Sequence, residues 1–351
     1  MNISEKIYPP AKGDIRLIRI ENESGAYVVL SSLGAGIVEV GVPDREGRIG
    51  NVALRYANPA DYLYDGPNMG KTCGRYANRI AEGRLHIAGK DYRLGLNLPP
   101  HHLHGGKDGF ANKNWEAEIL ESGVRFSCLS PDGEEHYPGT LKATVTYRWS
   151  ETNRLTIDFH AETDRETVVN LTNHTYWNLR GADSGEALTH ELRMKASRWL
   201  PTGPTQIPTG ELAPVAGTPM DFLEWKALGK EFGADYEPFR IGKYYDHCWA
   251  IDGFAAGVMV EDAVELRDPA SGRTLRISTD QPGIQVYTGN WLAGSASNMS
   301  GRGYEDYEGV AIEMQGFPDA PNQPGFPSQT LRPGENYDRK IILDFGVSPT
   351  T

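Results

Sequence analysis

The sequence predicts an all-β protein made of many short antiparallel strands. Apolar and polar residues alternate over long stretches, which is the period of a strand with one buried face. The chain has 40 Gly and 23 Pro among its 351 residues, and such a composition suits many strands joined by turns. Helical windows are few, and no repeat, low-complexity tract or linker divides the chain. We therefore expect a single domain over residues 1–351.

The clearest hairpin covers residues 141–161. Apolar residues alternate with polar ones from Leu141 to Trp149 and again from Leu155 to Ala161, with the polar turn Glu151-Thr152-Asn153 between them. Shorter runs of the same kind occupy residues 85–87, 115–119 and 124–128. Helical spacing of apolar residues predicts one helix over residues 221–232, and a short helical turn is expected near residues 59–64.

Charge and cysteine content limit the possible partners and the compartment. The net charge of −12 opposes binding to nucleic acid and to anionic membranes. Three well-separated cysteines suggest neither a disulfide framework nor a zinc knuckle. Residues 1–19 carry charges and Pro9-Pro10 where a signal peptide would be apolar, and no later segment is long and apolar enough to span a membrane. A soluble, cytoplasmic protein is expected.

Residues 170–179 form an unusually polar strand. Alternation places amides, hydroxyls and an imidazole on one face, which holds Asn170, Thr172, His174, Tyr176 and Asn178. Such a face either meets solvent or lines a pocket. His174 is accordingly either a hydrogen-bonded structural histidine or a functional group.

Glu313 is a lone carboxylate within an apolar strand, where it shares a face with Ala311 and Gln315. A carboxylate in this position is either solvated or held in a site that tunes its pKa. The Pro-rich loop at residues 319–327 follows and is a candidate wall of that site.

The histidines at residues 101–104 raise the question of a metal. His102 and His104 would share one face of a strand, as in an H-x-H motif, but no further ligand stands at a fixed spacing from them. We expect no catalytic metal here.

Six ordered motifs resemble the aldose 1-epimerase (galactose mutarotase) family. They span positions 74 to 327 and occur in the order found in that family. They are the segments at residues 74–80, 103–106, 173–179, 246–247 and 281–290, and the strand and loop around Glu313.

The resemblance implies a single large antiparallel β-sandwich, usually called a supersandwich, which binds a free monosaccharide in a cleft on one sheet. It places the general acid at His174 and the general base at Glu313. It implies that the substrate contacts are Asn78, Arg79, His104, Tyr176, Asp246 and Gln285. No metal, other cofactor, nucleic acid or membrane is implied, and a monomer or weak homodimer is expected.

The chemistry explains why these two residue types are needed. A cyclic aldose opens when a base removes the anomeric hydroxyl proton while an acid protonates the ring oxygen, and rotation about C1–C2 followed by reclosure gives the other anomer. We expect a neighbouring ionised carboxylate to raise the pKa of His174. The acid limb of the pH profile would then belong to Glu313 and the alkaline limb to His174.

Other interpretations remain open from the sequence alone. A glycoside hydrolase would use Asp246 and Glu313 as its carboxylate pair, and a carbohydrate-binding module would need no acid–base pair. A hexose-phosphate epimerase would require a cationic cluster, and none is obvious. Among the tryptophans, Trp177 and Trp291 are candidates for stacking on a sugar, Trp249 is a candidate for the pocket floor, and core packing is the alternative role.

Overall fold

The computed structural model describes residues 1–9 and 13–348. Residues 10–12, which belong to the N-terminal segment 1–19 that is not expected to be a signal peptide, and residues 349–351 lie outside the described part. Most of the regular structure is antiparallel strand, which confirms the predicted all-β class. The described residues contain one short α-helix, Glu237–Gly242, and none of their helices has the length and hydropathy needed to cross a membrane. Their 3-10 helices are Pro59–Tyr62, Ala81–Gly83, Phe110–Asn112, Glu134–His136 and Ala320–Asn322.

A nine-stranded antiparallel sheet forms one layer of the fold. In spatial order its strands are Glu116–Leu120, Gly123–Ser130, Leu141–Trp149, Arg154–Thr163, Tyr337–Val347, Arg273–Thr279, Val260–Arg267, Glu191–Met194 and Lys226–Ala227. The inward residues are apolar, and ion pairs such as Arg154–Asp344 and Arg193–Glu265 cover the outer face. This is the one-sided burial that the alternating sequence predicts.

A six-stranded sheet packs against the first and carries the site described below. Its strands, in order, are Tyr176–Trp177, Val310–Gln315, Gly283–Tyr287, Asp246–Ala250, Arg198–Trp199 and Ala213–Pro214. Both sheets contribute to one buried apolar cluster, for example through Ile157 and Ile277 from the nine-stranded sheet and Trp249 and Ile312 from the six-stranded sheet. The two layers therefore form the predicted β-sandwich.

Smaller sheets complete the fold. A five-stranded sheet contains Asn2–Tyr8, Ile15–Glu21, Tyr27–Ser31, Gly36–Pro43 and Ile49–Asn51. Four two-stranded pairs join Thr72–Cys73 to Thr172–Asn173, Arg79–Ile80 to His102–Leu103, Arg84–Ile87 to Lys90–Arg93, and Thr167–Val168 to Thr330–Leu331. The first two pairs matter for function because they carry residues next to His174 and His104.

The predicted hairpin is confirmed, and the predicted long helix is wrong. Leu141–Trp149 pairs with Arg154–Thr163 across a short turn. Residues 221–232 form turns and one short strand, Lys226–Ala227, which pairs with Glu191 and Leu192. The backbone amides of Leu228 and Gly229 donate to carbonyl groups of residues 190 and 188 instead of continuing a helix. Tertiary hydrogen bonding therefore overrides the helical spacing.

Core packing in the nine-stranded sheet gives a stability prediction. Ile157 is 1% exposed, so Ile157→Val should lower the free energy of unfolding by about 1 kcal/mol through the lost methylene and the space that it leaves. Urea denaturation measures this change. Ile119 is 42% exposed on an edge strand, and Ile119→Val is the matched control, with an expected change below ~0.5 kcal/mol. Equal effects at the two positions would contradict the assignment of Ile157 to the core.

Candidate active site

A cavity of about 440 Å³ opens on the six-stranded sheet. Its wall brings together most of the residues singled out in the sequence. It is lined by Gly66, Pro67, Asn68, Asn78, Arg79, Leu98, Leu103, His104, His174, Tyr176, Gln206, Asp246, Tyr287, Trp291 and Glu313.

Strand register explains why these side chains meet. Directly opposed residues of an antiparallel sheet share a face. One row across the sheet is Asp246, Tyr287, Ala311 and Tyr176. In the next row Gln285 stands opposite Glu313. Chemical groups from distant parts of the sequence therefore project to one side of the sheet.

His174 lies between two short strands and is fixed through its backbone. Its amide donates to the carbonyl oxygen of Lys71 at 2.9 Å, and its own carbonyl accepts from the amide of Gly70 at 2.9 Å. Gly70 has a φ of +73°, and a Cβ there would lie 1.9 Å from the carbonyl oxygen of Ile37. Glycine is therefore the residue that fits at position 70, where the backbone holds His174. His174 is 5% exposed, and its imidazole faces the cavity.

The polar face of residues 170–179 divides into two groups. His174 and Tyr176 line the cavity, whereas Asn170 and Asn178 lie behind it. The Asn170 amide donates to the carbonyl groups of Ala77 and Gly316, and the Asn178 amide donates to those of residues 185 and 308. These asparagines tie together segments that carry the site.

A buried ion pair secures the neighbouring wall. Lys71 pairs with Asp65, and both side chains are almost fully buried. The Lys71 ammonium also donates to the carbonyl oxygen of Tyr62 at 2.6 Å. The Tyr176 hydroxyl donates to the carbonyl oxygen of Pro67 at 2.9 Å. The cavity segment at residues 66–68 is thus held from two sides.

Glu313 lies in a strand whose residues are all buried. Val310, Ile312 and Met314 enter the core, and Glu313 is on the opposite face at 2% exposure. Its Oε1 is 3.5 Å from Nε2 of His174. Its Oε2 has no hydrogen-bond partner among the described residues. A carboxyl and an imidazole, both almost fully buried, therefore face each other on the cavity wall.

Burial sets the protonation of this pair. It raises the pKa of Glu313 well above the usual carboxyl range, and the charge of Asp246 raises it further. Burial lowers the pKa of His174 to about 4. The sequence-based expectation of a raised His174 pKa is therefore wrong, because loss of hydration outweighs the attraction of nearby carboxylates. Burial therefore favours the neutral form of both groups.

His104 is neutral and has a defined tautomer. Burial and the neighbouring His174 ring lower its pKa well below the usual histidine value. Its Nδ1 accepts the backbone N–H of Asn78 at 3.1 Å, so its proton is on Nε2. That N–H is available as a donor in the cavity, next to the His174 ring, whose centroid is 5.3 Å away.

Arg79 and Asp246 form the charged wall of the cavity. Arg79 Nη2 lies 3.5 Å from Asp246 Oδ2. Gln206 bridges them, since its Oε1 accepts from Arg79 at 2.8 Å and its Nε2 donates to Asp246 at 2.7 Å. Gln285 donates to the other Asp246 oxygen at 2.7 Å and lies behind the wall rather than on it. Gln206 lies outside the six motifs, so the sequence pattern did not indicate it as a site residue.

The structure separates the remaining sequence candidates. Trp177 and Trp249 are core residues, so Trp249 does not form the pocket floor, whereas Trp291 is 68% exposed at the cavity rim. The loop at residues 319–327 does not line the main cavity. It supports the wall instead, since Gln323 donates to the carbonyl oxygen of Pro208 at 3.1 Å, and Pro208 is two residues from Gln206.

His102 does not join His104 in a shared ligand set. Both of its ring nitrogens are used, one with the carbonyl oxygen of Gly95 and one with the Tyr137 hydroxyl, each at 2.6 Å. Among the described residues, the group that could hold a metal is His104, His174 and Glu313, with one donor atom from each lying within 4.8 Å of the others. Two imidazoles and a carboxylate fit a zinc-type ion chemically, although a separation of this size requires the side chains to move inward.

The fold and the site together define a class of protein. A buried acid–base pair beside a wall of charged and amide groups suits proton transfer on a small polyhydroxylated molecule.

Comparison with known proteins defines the family. The family model for aldose 1-epimerase matches residues 16–344. Galactose mutarotase from Homo sapiens is 39% identical over 340 residues, covering 97% of this chain and 96% of the relative. Aldose 1-epimerase from Escherichia coli K12 is 35% identical over 333 residues, covering 94% and 95%. A solved aldose epimerase homologue from C. elegans superposes with a TM-score of 0.86 at 31% identity, covering 99% of this chain and 100% of that one.

The chain belongs to the aldose 1-epimerase family. Its activity is that of an isomerase which interconverts the α and β anomers of aldoses. The comparisons do not favour a glycoside hydrolase or a carbohydrate-binding module.

Proposed function

We propose that His174 and Glu313 carry out the anomerisation of free aldoses of the galactose and glucose type, with His174 as general acid and Glu313 as general base. The observation that carries the proposal is the 3.5 Å approach of the two almost fully buried groups on the wall of the cavity. Galactose is included as a substrate because the human relative is named galactose mutarotase.

The reaction needs one proton donor and one acceptor at the same time. Glu313 takes the proton from the anomeric hydroxyl while His174 protonates the ring oxygen, and the C1–O5 bond breaks to give the aldehyde. Rotation about C1–C2 turns the other face of the carbonyl toward the O5 hydroxyl. Reclosure returns both protons, with the roles of the two groups reversed.

The single proton of the pair can serve this cycle. Burial favours the proton on Glu313 and a neutral His174. A sugar hydroxyl that donates to Glu313 stabilises the carboxylate, and the charge of Arg79 acts in the same direction. Moving the proton to His174 turns the neutral pair into an ion pair, and the attraction between two charges 3.5 Å apart offsets part of the desolvation cost of forming it.

The remaining residues are proposed to hold the sugar. Arg79 and Asp246 on the cavity wall supply a donor and an acceptor, which suits a hydroxyl that both donates and accepts. Gln285 is proposed to support the sugar contact from behind the wall, through its hydrogen bond to Asp246 Oδ1. Asn78 and the Nε2–H of His104 are proposed as further sugar contacts.

Tyr176 and Trp291 are proposed to pack on the sugar ring. Tyr176 lies with its ring centroid 5.0 Å from that of His174. The exposed Trp291 ring lies at the mouth of the cavity, where an aromatic face can stack on the apolar side of a pyranose.

We also propose the domain organisation, the cellular location, the oligomeric state and the partners of the protein. The apolar cluster shared by the two large sheets supports a single domain over residues 1–351. The three unpaired cysteines suit a cytoplasmic location. One chain supplies all the residues that line the cavity, so a monomer or weak homodimer is sufficient for activity. The acidic charge balance supports the absence of nucleic-acid and membrane partners.

Polarimetry tests the proposed substrates directly. Freshly dissolved α-D-galactose, α-D-glucose, D-xylose and L-arabinose should approach their usual final rotations faster with the protein than without it. We expect the largest kcat/KM for galactose or glucose. No acceleration with either hexose would contradict the proposal, and a strong preference for a pentose would correct its substrate.

Chelation tests whether the His104, His174 and Glu313 group works without a metal. Proton transfer by the pair has no step that needs a Lewis acid, so dialysis against EDTA should leave kcat and KM unchanged. Buffer dialysis without chelator is the control. Loss of activity that one divalent metal restores would contradict the prediction and identify these residues as a metal site.

A further inference from the structure

Gln206 occupies a position that no sequence motif indicates. It lies at the tip of the loop at residues 200–209, where the backbone amide of Gln206 donates to Gly203 and that of Gly203 donates to Ile207, both at 2.9 Å. Its φ is +61°, a left-handed conformation that is uncommon for a residue with a long side chain. The loop holds Gln206 in this conformation so that the side chain reaches between Arg79 and Asp246.

The Gln206 side-chain amide accepts one hydrogen bond and donates another. Its oxygen accepts from the Arg79 cation, and its nitrogen donates to the Asp246 carboxylate. A glutamate would repel Asp246, a lysine would repel Arg79, and a methionine would satisfy neither. Glutamine is the neutral side chain of this length that carries both a donor and an acceptor.

Without the bridge, Arg79 would keep Asp246 as its neighbour on the wall, and Asp246 would keep Arg79 and the hydrogen bond from Gln285. The closest atoms of Arg79 and Asp246 are already 3.5 Å apart, and a small rotation would close them into a direct ion pair. A closed pair presents fewer free donors and acceptors to a sugar. The amide therefore competes with the direct ion pair and keeps both groups oriented toward the cavity.

We propose that Gln206 is a positioning residue that holds Arg79 and Asp246 in their sugar-binding arrangement. The inference deepens the proposed function and rests on Arg79 and Asp246 binding the substrate. It assigns Gln206 a role in sugar affinity rather than in proton transfer, since its side-chain hydrogen bonds among the described residues go to Arg79 and Asp246 and not to His174 or Glu313.

Kinetics of Gln206→Met test this role, because methionine keeps the length of the side chain and removes both hydrogen bonds. Hydrogen bonds to charged groups justify a rise in KM for galactose of about tenfold to a hundredfold, with kcat changed by less than about threefold. Gln206→Glu should be at least as damaging. The exposed neighbour Thr205 supplies the control, since Thr205→Ala perturbs the same loop and should leave KM unchanged.

A double-mutant cycle separates positioning from loop stability. If Gln206 acts through Asp246, adding Gln206→Met to Asp246→Asn should change KM by less than about twofold. A penalty in the double mutant as large as in the wild-type background would overturn the inference. A loss of kcat at unchanged KM would also overturn it.

Calorimetric titration with galactose keeps this test independent of the mutarotation assay. If the wild type binds galactose without accelerating mutarotation, the proposed function fails. Weaker galactose binding by Gln206→Met would still support the positioning role, and unchanged binding would refute it.

Discussion

Replacing Glu313 with glutamine is expected to lower kcat for mutarotation by ~10² to ~10⁴ while sugar binding stays close to that of the wild type. Glutamine keeps the shape of the side chain and removes its ability to take the anomeric proton. Binding should persist because the contacts made by Arg79, Asp246 and the other wall residues remain in place. Polarimetry measures kcat, and calorimetric titration with galactose measures affinity.

The control for this variant is a carboxylate outside the cavity. Glu305 is exposed and does not line the cavity, so Glu305→Gln should have the kinetics of the wild type. If Glu313→Gln turns over at nearly the wild-type rate, Glu313 is not the base. A variant that loses galactose binding as well would instead assign Glu313 to substrate affinity.

Replacing His174 with asparagine is expected to remove most turnover, by ~10² or more, and to change the pH profile. On the proposed mechanism, wild-type activity requires the pair to hold one proton. It should be constant around neutrality and fall as the pH drops through about 4, where His174 takes a second proton. At the other end it should fall as the pH rises through the elevated pKa of Glu313. The acid limb therefore belongs to His174.

The residual activity of His174→Asn should lack the limb near pH 4, and it should rise as the pH passes through the elevated pKa of Glu313, because the remaining base acts as a carboxylate. Circular dichroism at each pH distinguishes lost chemistry from lost structure. His86→Asn is the matched control, because the His86 side chain is largely exposed in a separate hairpin. A variant that keeps the acid limb unchanged would show that a group other than His174 produces it.

Local sequence pattern predicted the features that depend on neighbouring residues alone. Strand alternation indicated the hairpin at residues 141–161 and placed Ala311, Glu313 and Gln315 on one face, as observed. The resemblance added His174 as the partner of Glu313, and the structure brings their side chains to 3.5 Å. Their catalytic roles stay predictions until the variants are measured.

Features that depend on tertiary contacts were not predictable in this way. Residues 221–232 do not form the expected helix, because their backbone makes hydrogen bonds with residues 188 and 190 instead. The direction of the His174 pKa shift depends on how many atoms exclude water around the ring, which no local pattern contains. Gln206 reaches the site through an unusual backbone angle, and Tyr287 through strand register.

The central place of Tyr337–Val347 in the nine-stranded sheet has a consequence for folding. It separates Arg154–Thr163 from Arg273–Thr279, and its contact between Arg154 and Asp344 joins residues 190 positions apart. The chain must lose the entropy of closing this long loop before strand pairing compensates for the loss. Insertion of Tyr337–Val347 between its two neighbours is therefore slow. Until it occurs, two strands expose unpaired edges that attract other chains. Refolding yield should therefore fall as protein concentration rises.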